Sequence, residues 1–216
     1  HPEVVIVYAD GYILDESTGT RQELRLPFGS LERGTTVFAS RDRVFPQDFT
    51  LCNVLFKRSL AVELDAFDNP LNLCADSELF LKACLFGDVG VIHELVSQYR
   101  IHGSNLIFRH HEDLRIYAAN LDYFFRPRRL AIERGALTRP QRRAFEAAAR
   151  RGLRKTVVVV SERHGERVAE VVDRLWEADP WLTLRALCHR RTAGLALGRL
   201  GRWLRRALPR GVGRVD

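Results

Sequence analysis

Two acidic side chains lie at the start of the segment with the clearest helical spacing. Apolar residues recur at helical intervals from Ser77 to Phe86, and Gly87 follows where a helix would end. Asp76 is therefore expected at or just before the first turn, and Glu78 follows two residues later in the sequence. A carboxylate at this position can remove a proton from a bound hydroxyl group, or it can cap the helix by accepting backbone N–H bonds. The helix N-terminus would favour ionised Asp76, which predicts a low pKa.

A second polar group closes an extended segment. The sequence Tyr99-Arg100-Ile101-His102 ends a predicted strand, and Gly103-Ser104-Asn105 interrupts it. Side chains two residues apart on a strand point to the same side, so Arg100 and His102 are expected to point the same way. The alternative is a polar strand end that faces water.

Four polar residues at 110–113, His-His-Glu-Asp, do not indicate a second metal site. Adjacent histidines on a helix point about 100° apart and do not converge on one ion without other ligands. We interpret this segment as the solvated start of a helix.

Three segments carry the most specific pattern in the sequence. They are Val7-Tyr8-Ala9-Asp10-Gly11-Tyr12 with Asp15-Glu16, then Ala66-Phe67-Asp68 with Ala75-Asp76-Ser77-Glu78-Leu79-Phe80-Leu81-Lys82, and then Tyr99-Arg100-Ile101-His102-Gly103-Ser104-Asn105. In this order and at this spacing, over about residues 1–105, they resemble family 2 glycosyltransferases. The resemblance implies a partial α/β domain of the GT-A type.

The resemblance also implies a catalytic role for the predicted helix start. Asp76 takes the place of the general base, which deprotonates an acceptor hydroxyl as that oxygen attacks the anomeric carbon, so that the reaction inverts the configuration. Asp10 and Glu78 are candidates for the acceptor side. Ala75 stands where the family has a glutamate, so contacts made by that glutamate are not expected here.

In the same family the histidine of the third segment completes the coordination of a divalent ion. The resemblance therefore implies that His102 binds Mg²⁺ or Mn²⁺, and that Arg100 pairs with the donor diphosphate. The implied partners are a nucleotide-sugar donor and a saccharide or lipid-linked acceptor.

The donor-binding part of the family pattern is absent from the sequence. There is no D-x-D between residues 1 and 100 and no strand-helix-strand module before Tyr8. We therefore expect a fragment, in which residues 1–105 are the acceptor-side half of the GT-A domain and residues 106–216 are a helical, arginine-rich region. Val4 to Tyr8 is apolar on both faces, and without upstream strands we expect an unpaired edge there.

Periodicity predicts the remaining elements. Val4–Tyr8 and Leu51–Phe56 read as buried strands, and Val89–Ile92 and Leu95–Ile101 read as two further strands. The chain becomes mainly helical after Asn105. In that part, Pro127 is expected to begin a new segment, Gly135 to close it, and Val168–Trp176 to form an amphipathic helix; Val157–Val160 is compatible with a strand or a buried helix.

Composition excludes several classes of protein. With 46% hydrophobic and 28% charged residues, the 216-residue chain is neither disordered nor fibrous. Its four cysteines show neither zinc-ribbon nor disulfide spacing, which favours a reducing, cytoplasmic setting. No apolar run approaches the roughly 20 residues of a membrane span.

The net charge of +7 is concentrated in the last third, where leucine and arginine alternate over residues 190–214. This pattern fits a helix attracted to an anionic membrane surface, and equally a solvated face packed on the domain. The alternative function is a non-catalytic basic helical module for an anionic membrane or nucleic acid. Nucleic acid is not expected, because base-stacking aromatics and a helix-turn-helix are lacking.

Overall fold

A computed structural model describes residues 1–40, 51–65, 75–105 and 114–188. Within these ranges the protein is mixed α/β, as the sequence predicts. The segment Ala66-Phe67-Asp68, the residues at 110–113 and the Leu/Arg segment at 190–214 lie outside them.

One mixed sheet is built around a long central strand, β1 (Val4–Asp15). β5 (Asp88–Ile101) runs parallel to β1, and β3 (Leu31–Glu32) pairs with β5. The other edge of β1 is shared by two antiparallel strands: β4 (Val54–Phe56) pairs with residues 6–8, and β2 (Thr20–Leu24) pairs with residues 11–15.

The prediction of an open edge at Val4–Tyr8 was wrong. Ile6 to Tyr8 are hydrogen-bonded on both sides, to β4 and to β5, so strands from later in the chain supply both neighbours. The expectation that residues 51–56 form one buried strand was also only partly correct. Residues 51–53 form a 3-10 turn, and Leu55 on β4 is 73% exposed because only one face of this short strand meets the core.

β5 is one strand where two were expected. Ala9 pairs with Ile92 and Asp10 pairs with Leu95, so His93 and Glu94 form an irregularity within a continuous ladder. The irregularity coincides with the gap between the two apolar runs, and the strand continues through it.

The described residues form seven α-helices. They are α1 (Gly34–Ala39), α2 (Arg58–Glu63), α3 (Ala75–Ala83), α4 (Leu114–Glu133), α5 (Arg139–His164), α6 (Val168–Ala178) and α7 (Pro180–Leu187). α3 packs against β1 and α4. The Tyr8 ring meets the Phe80 ring edge-on at 5.8 Å between centroids, which ties β1 to α3.

Pro127 lies inside α4, whereas the sequence predicted a new segment there. Proline removes one helical hydrogen bond, but buried Phe125 and Ala131 hold the helix on both sides of it. Gly135, with a φ of 57°, follows the helix as expected.

The chain divides into two compact units, residues 1–152 and a second that begins at Leu153. The boundary expected at 105/106 falls within the first of these units. Val157–Val160 belongs to α5, with Leu153, Val157 and Val160 buried at helical spacing, so the open alternative is resolved in favour of a helix. The apolar stripe from Val168 forms α6 as predicted.

No described helix combines the length and the apolar character that a membrane crossing requires.

Replacing Gly34 by Ala is expected to destabilise the first unit by about 3 kcal/mol, the upper end for overpacking. A Cβ atom at Gly34 would lie 2.1 Å from the carbonyl oxygen of Gly87 and 2.2 Å from that of Cys84, and backbone atoms cannot rotate away. Denaturant unfolding measures the loss. Gly29→Ala is the control, because its Cβ would meet only the Glu32 side chain at 3.8 Å. Equal stability of the two variants would contradict this packing.

Candidate functional site

Asp76 is the second residue of α3 and is half-buried. Its Oδ1 accepts a hydrogen bond at 2.7 Å from the N–H of Ser77, the next residue in the chain. A capping aspartate instead accepts from an N–H two or three residues further on. Asp179 shows that geometry before α7, where its Oδ1 accepts from the Leu182 N–H at 2.8 Å. In the described part of the chain Asp76 has neither the hydrogen bond of a cap nor a cationic partner.

Burial raises the pKa of Asp76 above its ordinary value of 3.8, and hydrogen bonds from Ser77 only partly offset the increase. The low pKa predicted from the helix N-terminus was therefore wrong in direction, because desolvation by the packed core outweighs the helix N–H groups. Asp76 also contributes to the pKa of Tyr8. Burial raises that pKa well above its ordinary value, and Cys84, Tyr123 and Asp76 add to the increase.

Asp76→Asn is expected to stabilise the folded chain at neutral pH. An aspartate with a raised folded-state pKa carries a penalty that is absent below its ordinary pKa of 3.8, grows as the pH rises towards the folded pKa, and is complete above it. Thermal unfolding of both proteins from pH 4 to pH 8 should show a difference that increases with pH in the acid range and then stays constant. A wild-type protein that is the more stable one at pH 7 would contradict this.

Glu78, two residues after Asp76, is 3% exposed and has cationic partners. Its Oε1 contacts Lys82 Nζ, one turn later in α3, and Arg126 Nη1 on α4 at 3.3 Å. The Glu78–Lys82 pair lies within α3 and is nearly buried. The Glu78–Arg126 pair links α3 to α4. Glu78 therefore lies in a structural ion-pair cluster, and its role on the acceptor side stays a prediction.

Asp10, the other acceptor-side candidate, is completely buried on β1. Three groups surround its carboxylate: the Leu26 N–H at 2.9 Å, Arg25 Nη1 at 3.3 Å and His93 Nδ1 at 3.2 Å. These contacts tie β1 to the segment after β2 and to the irregularity in β5. An acceptor could reach Asp10 only if these groups separated, so the geometry supports an anchoring contact.

His93 and Arg25 were not among the predicted site residues. Their common partner is Asp10, which is 83 residues from His93 and 15 from Arg25 in the chain. The only local signal is that His93 interrupts two apolar runs of β5.

His102 lies directly after β5 in a closed turn. Its Nδ1 is 2.7 Å from the Ser104 hydroxyl, and no hydrogen bond reaches Nε2 from any residue that the structure describes. Nε2 is therefore the nitrogen that can bind a metal ion. The parts of the chain that are described contain no cluster of three or more His, Cys, Asp or Glu side chains suited to a metal, so His102 would supply one ligand and the described residues do not complete the site.

Arg100 is exposed and its guanidinium contacts Glu16 Oε1 at 3.2 Å, across the parallel pairing of β5 with β1. Solvent-exposed pairs of this kind are weak, so the pair can open to let Arg100 contact an anionic ligand. The structure brings Arg100 and His102 to the same end of β5.

Comparisons with protein-family models, with curated protein sequences and with solved structures found no match to this chain.

Proposed function

We propose that this chain is the acceptor-side part of an inverting, GT-A-type glycosyltransferase, in which Asp76 is the general base. The observation that supports the proposal is the state of Asp76: a half-buried carboxylate at the start of α3, with a raised pKa and with no cation beside it among the described residues. The resemblance of the three sequence segments supplies the reaction class.

The contrast with Glu78 supports the choice of base. A general base works best when its pKa approaches the working pH, and desolvation raises a carboxyl pKa in that direction. Glu78 is also buried, but Lys82 and Arg126 hold its carboxylate oxygen. Of the two acidic residues in this turn, Asp76 is the one whose carboxylate remains available to an incoming hydroxyl group.

In the proposed reaction, the acceptor oxygen forms a bond to the anomeric carbon from the face opposite the nucleotide. The bond from that carbon to the nucleoside diphosphate breaks, the acceptor proton moves to a carboxylate oxygen of Asp76, and the configuration inverts. His102 Nε2 would hold the divalent ion, Mg²⁺ or Mn²⁺, which neutralises charge on the leaving diphosphate when it is bound. Arg100 would leave Glu16 and contact the same diphosphate.

We place this reaction in the cytoplasm, at an anionic membrane surface contacted by residues 190–214, with a saccharide or lipid-linked acceptor. The cysteine spacing and the alternating leucines and arginines of the sequence support the setting. Among the residues that the structure describes, no comparable observation favours the non-catalytic binding module.

The test is an assay of the full-length protein with UDP-, GDP- and dTDP-sugars, Mn²⁺ and a membrane extract as acceptor. We expect acceptor-dependent release of one nucleoside diphosphate and a product of inverted anomeric configuration. Release that does not depend on the acceptor, or a product of retained configuration, would contradict the proposal. Absence of transfer from every donor would favour the binding module.

A further inference from the structure

The turn that carries His102 is closed by hydrogen bonds to one residue, Asn105. Asn105 Oδ1 accepts a hydrogen bond from the His102 N–H, and Asn105 Nδ2 donates to the Arg100 carbonyl oxygen at 3.2 Å. The Asn105 N–H donates to the His102 carbonyl oxygen at 3.0 Å. These three bonds close the chain on itself between residues 100 and 105, so the backbone of His102 has one defined position at the end of β5.

The imidazole ring is held by a different residue. Ser104 Oγ lies 2.7 Å from Nδ1, a normal hydrogen-bond distance, and it lies in the same turn whose backbone Asn105 holds. This contact favours the ring orientation in which Nδ1 faces Ser104. The second ring nitrogen, Nε2, then has a preferred direction, and the described residues place no competing hydrogen bond on it.

We propose that Ser104 is a positioning residue, which accepts a hydrogen bond from Nδ1–H of His102 and thereby makes Nε2 the nitrogen that binds a divalent cation. A neutral imidazole carries one proton, so a partner that holds the proton on Nδ1 leaves the lone pair on Nε2. Hydrogen bonding at the nitrogen opposite the metal also orients the ring and makes the coordinating nitrogen more basic. The role as a metal ligand rests on the proposed function, whereas the proton position is a property of the chain itself.

The direct measurement is long-range ¹H–¹⁵N correlation NMR of the histidines in the 216-residue chain at a pH where His102 is neutral. Wild type and Ser104→Thr, which keeps the hydroxyl group, should show His102 protonated on Nδ1. Ser104→Ala should move the proton towards Nε2. Ser17→Ala is the matched control: Ser17 Oγ contacts the side chain two residues before it, Asp15 Oδ1 at 2.6 Å, in another exposed turn, and its loss should leave His102 unchanged.

Titration with Mn²⁺ alone provides the second measurement. Broadening of the His102 ring signals should require several-fold more Mn²⁺ in Ser104→Ala than in wild type, Ser104→Thr or Ser17→Ala. A wild-type His102 protonated on Nε2, or a Ser104→Ala variant with the wild-type proton position, would overturn the proposal. Neither readout requires glycosyl transfer, so failure of this proposal and failure of the transfer assay are separate results.

Discussion

Replacing Asp76 by Asn is expected to lower turnover of the full-length protein by about 10²- to 10⁴-fold, the range for loss of a general base. Asparagine has nearly the same shape and its oxygen can still accept the Ser77 N–H bond, so α3 should keep its start. Donor affinity should stay close to that of the wild type, because the substitution removes the proton acceptor and leaves the donor contacts in place. Steady-state kinetics with saturating donor measure the loss.

Asp179→Asn is the matched control for this substitution. Asp179 caps α7 through Leu182, and asparagine caps a helix about as well as aspartate, so turnover should remain close to that of the wild type. If Asp76→Asn also retained activity within a few-fold, Asp76 would have no catalytic role. The expected gain in stability at neutral pH separates loss of chemistry from loss of folding.

Replacing Glu78 by Ala is expected to lower the free energy of unfolding by about 3–5 kcal/mol, the range for removing one partner of a buried ion pair. Lys82, whose side chain is 14% exposed, would be left buried beside Arg126 with no carboxylate between the two cations. Denaturant unfolding at pH 7 measures the change.

Glu170→Ala is the corresponding control on the surface. Glu170 pairs with Arg167 at 3.2 Å with both side chains more than half exposed, and such pairs contribute little to stability. Its loss should change the unfolding free energy by less than about 0.5 kcal/mol. If both glutamate variants unfolded alike, the Glu78 cluster would be no more than a surface contact.

Local patterns in the sequence predicted much of the fold. Helical spacing placed α3 close to its observed bounds and placed α6 correctly, and the apolar run from Val4 predicted the start of β1. These elements are specified by which of their own side chains are buried, and that information is present in a short window of sequence.

The errors concern features that depend on distant parts of the chain. The neighbours of β1 come from residues 54–56 and 88–101, so no window around Val4 could show that both edges are paired. The same limit applies to Asp10, whose partners Arg25 and His93 meet only in the folded sheet. The pKa of Asp76 was predicted in the wrong direction because its helix N-terminus is local, whereas the packing that desolvates it is not.

The central claim is that Asp76 takes the acceptor proton, and the pH dependence of kcat/KM for the acceptor tests it most directly. The base must be ionised, so the rate should fall tenfold per pH unit below an apparent pKa that lies above the ordinary value of 3.8, because burial raises the pKa of Asp76. In Asp76→Asn the residual rate should no longer show this acid limb. An acid limb of unchanged midpoint in the variant would contradict the account, because another group would then be the base.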